Sequence, residues 1–245
     1  MTSQKMKKCI VIIAALVCAF ALASCAKTQA SLIDDPTMPA QLRTPQLGDT
    51  IAEIETSRGV IKMVLYEEQA PLACQNFIAL AEKGYYNGVT FHRVVKDFVA
   101  QTGDPTGTGR GGESSFGEPF ANEYSQKLHH YVGAVGMANP EADENTSQFY
   151  FVTGASVSTE TIEKMRELGY SDEVLAGYQT YGGQPGLDFK YTVFGQVYEG
   201  LDVLGEINDV KTDGSDRPKK DITINSVTIS VYAGSEGADD AAANA

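Results

Sequence analysis

Two hydrophobic periods alternate along the middle of this chain. Residues 51–56 and 60–66 are short β-rich runs joined by Ser57, Arg58 and Gly59, and Gly59 is free to take the positive φ of a tight turn. Together they predict a hairpin. From Pro71 the period lengthens, with Cys74, Phe77, Ile78 and Ala81 at i, i+3, i+4 and i+7. That spacing predicts a helix opened by Pro71 and closed at Gly84. Further strands are expected at 90–95, 98–101, 134–137, 148–153 and 191–198, then a short helix at 201–207. In the closing run "ITINSVTISVY" the apolar positions are Ile222 and Ile224, then Val227, Ile229 and Val231. The phase flips, so a bulge near Asn225 or Ser226 would keep both halves facing one core.

Between residues 154 and 187 the pattern turns helical again. Glu160 and Glu163 precede Lys164 and Arg166, and Ser171 stands before Asp172 and Glu173, which predicts two short helices. Many short strands, few helices and glycine-rich connections make the chain mainly β, as a closed antiparallel barrel or a sandwich. The period alone does not choose between them.

The ends have a different character. Lys5, Lys7 and Lys8 precede an uncharged apolar run at 9–23, and Leu22-Ala23-Ser24-Cys25 follows. Residues 1–24 read as a secretory signal, too short for an ordinary membrane helix. The small residues before Cys25 resemble the bacterial lipobox, which implies cleavage before Cys25 and lipidation of its thiol. Residues 26–47, with Pro36, Pro39 and Pro45, read as a flexible tether behind that anchor. The domain is placed at 48–232 and a disordered acidic tail at 233–245.

These assignments change the meaning of the composition. Of four cysteines, Cys9 and Cys18 leave with the signal and Cys25 carries lipid, so Cys74 alone remains. One thiol forms no internal disulfide, and its place on an apolar stripe suits a packed, inert side chain. The formal charge is −13; losing three signal lysines leaves 19 − 3 = 16 basic residues against 32 acidic, or −16. Nucleic acid is excluded as a partner.

The usual catalytic constellations are thin. The three histidines, His92, His129 and His130, accompany no nucleophile motif and make poor support for a zinc site. The run "GTGRGG" at 107–112 lacks the Gly-Lys-Ser/Thr ending of a phosphate loop and reads as a mobile or tightly turned segment. Nothing calls for a metal, nucleotide or other cofactor. What stands out is Arg93, a cation inside a predicted strand with no acidic neighbour in sequence.

Three blocks frame that arginine: "FHRVVKDFVAQTGDPTGTGRGG", "GMANPEADENTSQFYFVTG" and "LDFKYTVFGQVYEG". In this order they resemble the signature blocks of the cyclophilins, peptidyl-prolyl cis-trans isomerases, and the likeness runs over about residues 50–231. The resemblance implies a closed eight-stranded antiparallel barrel capped by two helices, here with a helical insertion near 155–186, and a peptide groove on the barrel's outer face. It implies that Arg93 points into the groove as the catalytic residue. By the same blocks Phe98, Met137, Tyr150 and Leu187 would line a proline pocket, while Gln101 and the Asn139 backbone hold the peptide. Ala138, Gln148 and Tyr191 complete the implied substrate-binding set.

Several positions depart from the pattern. Tyr150 stands where phenylalanine is frequent, Val99 where methionine is common, and Pro140 where alanine is common. Gly186 falls where some members carry a tryptophan or histidine at the groove rim, and Phe189 stands where glycine is usual. The insertion enters beside Tyr150 and leaves beside Leu187, so it either shapes the groove or decorates a distant surface. The expected function is isomerisation of X–Pro bonds in exported polypeptides by a monomer anchored to the bacterial cell envelope. The alternative is a proline-peptide binding or chaperone module without catalysis.

Overall fold

In a computed structural model of the chain, residues 38–154 and 156–234 are described. The expected signal, Cys25, most of the tether and nearly all of the tail lie outside them. Eight strands form one antiparallel sheet: β1 (Thr50–Thr56), β2 (Gly59–Leu65), β3 (Arg93–Val95), β4 (Val99–Thr102), β5 (Ala134–Met137), β6 (Phe149–Val152), β7 (Val193–Glu199) and β8 (Ile224–Val231). Their order across the sheet is β3-β4-β6-β5-β7-β2-β1-β8. Among the described residues four α-helices accompany them, α1 (Pro71–Glu82), α2 (Thr159–Glu167), α3 (Asp172–Tyr181) and α4 (Leu201–Asn208).

The sheet curls until the segments flanking its two edge strands meet. The Gly88 N–H donates to the Ile224 carbonyl at 2.7 Å, Ile224 to Val89 at 2.8 Å and Phe91 to Ile222 at 2.9 Å, with a bridge between Thr90 and Thr223. These bonds explain why the strand expected at 90–95 shortens to Arg93–Val95: its first residues turn from β4 to stitch the seam. At the far edge Glu55 opposes Ser226 while Thr56 opposes Ile224, which leaves Asn225 outside the ladder. The predicted bulge is there. It keeps Ile222 and Ile224 buried and Val227 and Ile229 packed on the same core, and only Val231 escapes to solvent.

The concave interior takes alternate residues of each strand, among them Val94, Ala100, Val135, Phe149, Phe151 and Phe194. Phe77 of α1 meets the edge of Phe149 with centroids 5.4 Å apart. Cys74 is fully buried on that helix face and burial pushes its thiol well above the ordinary range, so it packs as an inert group. The first N–H groups of α1 lack a local side-chain cap. Glu123 supplies one from a distant loop, accepting from Leu72 and Ala73 at 3.0 Å each. Helix α4 rests against β2, β3 and β4.

The packed body starts before Gly48, which revises the tether expected up to residue 47. A short turn of 3-10 helix at Ala40–Leu42 buries Gln41 and Leu42 almost completely. The insertion contains the two predicted helices; Ser171 caps the second as the sequence suggests, and Ser158 caps the first. Leu42, Tyr131, Ile162, Met165, Leu175 and Tyr178 form a second small core that joins the insertion to the N-terminal segment.

Candidate active site

Ladder register places the leading candidates in one row. Arg93 on β3 is opposite Gln101 on β4, Gln101 is opposite Tyr150 on β6, and Tyr150 is opposite Gly136 on β5. Cross-strand partners share a face, and here it is the face away from the core that holds Val94, Ala100 and Phe151. The Arg93 side chain is 39% exposed, and its Nε lies 3.8 Å from Asp216, itself half exposed. That is a loose, solvated pair. Asp216 lies far along the chain, so the charge that sequence leaves uncompensated has a distant partner.

A polar track continues from Gln101. Its amide donates to the Gln148 side-chain oxygen at 2.9 Å, and the Gln148 amide donates to the Gly111 carbonyl at 2.7 Å. Gly111 belongs to the glycine-rich loop, which is wound around the Asp104 carboxylate. Backbone N–H groups of Thr106, Thr108, Gly109 and Gly111 all donate to it. Burial works to raise the Asp104 carboxyl, but these hydrogen bonds prevail and hold it down at about 2. The loop is tightly turned, and it fixes the end of the Gln148 side chain.

Beside the polar track lies an apolar patch. Val99, Leu128, Ala134, Tyr150, Val152 and Val193 form its buried floor, with Phe98, Ala138, Leu187 and Tyr191 partly exposed around it. Tyr191 stands edge-on to Tyr150 at 6.1 Å. The apolar and polar groups expected from sequence therefore converge, with one exception. Met137 pairs with Phe149, and both side chains point into the barrel core. Val99 is the residue that packs with Tyr150 on the outer side. The Asn139 side chain donates to Asn122 at 3.0 Å and to Asn145 at 2.8 Å, which fixes the backbone expected to hold peptide.

The comparisons with known proteins establish the family. The sequence model of the family described as "Cyclophilin type peptidyl-prolyl cis-trans isomerase/CLD" matches residues 51–229. The chain belongs to the cyclophilin family. A protein of Staphylococcus saprophyticus named putative peptidyl-prolyl cis-trans isomerase is 43% identical over 190 residues, covering 77% of this chain and 96% of that protein. One of Staphylococcus epidermidis with the same name is 38% identical over 191 residues, covering 76% and 97%. Among solved structures, a cyclophilin-type isomerase of Cryptosporidium parvum superposes with a TM-score of 0.61 at 30% identity, covering 76% of this chain and 99% of that one. The same Cryptosporidium protein was also solved in the presence of the dipeptide Ala-Pro, with a TM-score of 0.60, 31% identity and coverage of 74% and 99%.

Within this cyclophilin the departures from the family pattern have definite places. A Cβ at Gly186 would meet nothing within 4 Å, so the rim is open there. Phe189 takes φ of 57° and sets its ring against His129 and Tyr170 at 5.9 and 6.2 Å. The Tyr150 hydroxyl reaches 2.9 Å from His130 Nε2, and His130 Nδ1 lies 2.9 Å from Asp188. Sequence reasoning missed His130 and Asp188 as parts of the site. The added oxygen on Tyr150 was the available signal, because a buried hydroxyl calls for a partner.

Proposed function

We propose that this cyclophilin accelerates cis–trans isomerisation of X–Pro bonds in exported polypeptides, with Arg93 as the catalytic donor and the patch around Tyr150 as the proline pocket. The observation that carries the reading is the single row of Arg93, Gln101 and Tyr150 beside an apolar floor. Rotation about an X–Pro bond must break amide resonance, against a barrier of about 18–20 kcal/mol. No covalent bond is made or cut, so the protein needs only to bind the twisted amide better than either planar form. Each ~1.4 kcal/mol of that preference is about tenfold in rate.

In the twisted state the imide nitrogen gains a lone pair. A guanidinium can donate to it, or to the neighbouring carbonyl oxygen, and does not titrate away near neutral pH. The apolar floor holds the proline ring still while the preceding carbonyl swings. Gln101 and Gln148, each tied by hydrogen bonds, offer polar groups to the peptide backbone. The cellular setting rests on sequence: three lysines, the apolar run at 9–23 and Leu-Ala-Ser-Cys at 22–25 support a lipid anchor on Cys25 at the bacterial cell envelope, with the domain outside the cytoplasm. There the protein would act as a monomer on proline-containing chains as they fold, since proline isomerisation limits folding on the scale of tens of seconds.

The test is NMR exchange of an Ala-Pro peptide with the full chain and its Arg93→Ala variant. Loss of one donor aimed at developing charge costs roughly a hundredfold in kcat/KM, with the fold retained because Arg93 is loosely paired. Turnover that is unchanged in Arg93→Ala would sink the assignment of Arg93. Peptide that binds to the wild-type chain without acceleration would instead favour a non-catalytic proline-binding module.

A further inference from the structure

Behind the groove, five donors converge on one carboxylate. The Asp188 side chain has no solvent exposure. Its Oδ1 accepts from the backbone N–H and from Nδ1 of His130, both at 2.9 Å. Its Oδ2 accepts from His129 Nδ1 at 3.1 Å, the Tyr178 hydroxyl at 2.7 Å and the Tyr170 hydroxyl at 3.3 Å. Burial works to raise this carboxyl, and the hydrogen bonds from the two histidines overcome it and hold it well below the usual range.

An ionised carboxylate only accepts, so His130 Nδ1 carries the proton. Burial lowers the His130 pKa against the pull of Asp188, which keeps the ring neutral. Its Nε2 is then an acceptor, and the Tyr150 hydroxyl donates to it. The two ring planes are nearly parallel, with 17° between them. A directional chain runs from Tyr150 through His130 to Asp188 Oδ1, and Tyr178 of the insertion donates to the other oxygen of the same carboxylate.

We infer that His130 and Asp188 are positioning residues for the proline pocket, and that the insertion supports them through Tyr178 and Tyr170. This rests on the reading that Tyr150 lines that pocket. The phenol is one atom longer than the phenylalanine frequent at this place, and the extra oxygen must go somewhere. Pointed at His130, it leaves the ring as an apolar wall beside the proline site. Without that acceptor the buried hydroxyl either turns toward the groove or draws in water, and both put polarity against the proline ring. The insertion thus reaches the pocket from behind, through hydrogen bonds. Its role is to hold a wall in place.

The deciding experiment uses the full chain and a titrated Ala-Pro peptide, with NMR line shapes giving KM and kcat separately. His130→Leu is expected to raise KM roughly three- to tenfold, the size of one lost hydrogen bond, with kcat within about twofold. Tyr178→Phe removes a single oxygen from the outer end of the chain, folds without a new cavity, and should raise KM about two- to threefold. Both effects should vanish in a Tyr150→Phe background, where no hydroxyl remains to be held. Unchanged KM in both folded single variants would overturn the inference. So would losses of equal size with Tyr150 intact and in the Tyr150→Phe background, since a purely structural role is indifferent to that hydroxyl. Absence of turnover in the wild-type chain would overturn the isomerase reading itself, and the inference with it.

Discussion

Gly136 faces Tyr150 across the β5–β6 ladder, and a Cβ added at position 136 would lie 2.6 Å from both Cζ and the hydroxyl oxygen of that tyrosine. Side-chain carbons do not approach so closely. The ring can lie over the strand and reach His130 only because residue 136 has no side chain. Gly136→Ala is therefore expected to drive the Tyr150 ring off His130. Overpacking of this kind costs about 1–3 kcal/mol, visible as a lower urea midpoint, and peptide affinity should fall with it. A variant with unchanged midpoint and affinity would show that the ring has room to move.

Two buried histidines give the stability a pH dependence of definite sign. Burial lowers the pKa of His130, which faces Asp188, His129, Tyr150 and Tyr178, and also of His92, which lies near Asp104, Arg217 and Arg93. Both rings are neutral when folded, whereas in the unfolded chain they take up a proton as pH falls through about 6.5. The unfolded state then binds more protons, so stability drops as pH falls below about 6.5, by up to ~1.4 kcal/mol per pH unit for each histidine, until the folded pKa is reached. Neither ring nitrogen of His92 has a hydrogen-bond partner among the described residues. Replacing it with leucine should keep stability at about pH 7.5 and reduce the slope. Urea melts between about pH 7.5 and 5.5, which bracket the ordinary histidine range, decide the matter. A stability that rises on acidification would contradict it.

Local elements were legible wherever one period was clean. The hairpin, α1 and the β8 bulge follow from alternation, helical spacing and a phase flip, all local properties. The seam between 88–91 and 222–224 was not visible, because its bonds join segments far apart in sequence and shorten β3 for reasons no local pattern carries. Residues 40–47 misled in the same way: small and polar neighbours hid a buried Gln41 and Leu42.

At the site, the sequence blocks point to Arg93, Gln101 and Tyr150, and register puts them in one row. The same blocks assign Met137 to the pocket, and it lies in the core. The reason is that all four residues of β5 are buried, so no polar alternation marks which face each side chain takes. Asp188 stands in plain view inside the third block, yet the network around it draws on four segments, at 129–130, 150, 170 and 178. A network assembled from that many places leaves no pattern in any one of them.

The N-terminal segment supplies the last prediction, because the sequence reads as a tether and the segment packs as part of the domain. The Gln41 side-chain oxygen accepts from the His129 N–H at 2.7 Å and its amide nitrogen donates to the His129 carbonyl at 2.7 Å, while its backbone carbonyl accepts from the Tyr66 hydroxyl at 3.0 Å. Leu42 is fully buried against Tyr131 and the insertion helices. Leu42→Ala should cost about 2–5 kcal/mol as a core truncation, and Gln41→Ala about 1–3 kcal/mol by leaving buried backbone groups unpaired. Because Gln41 grips the backbone of the residue beside His130, its loss should also weaken peptide binding, whereas Leu42→Ala should act mainly on stability. A tether predicts the opposite: both substitutions within about 0.5 kcal/mol of wild type in a urea melt, as for surface positions generally, and no change in affinity.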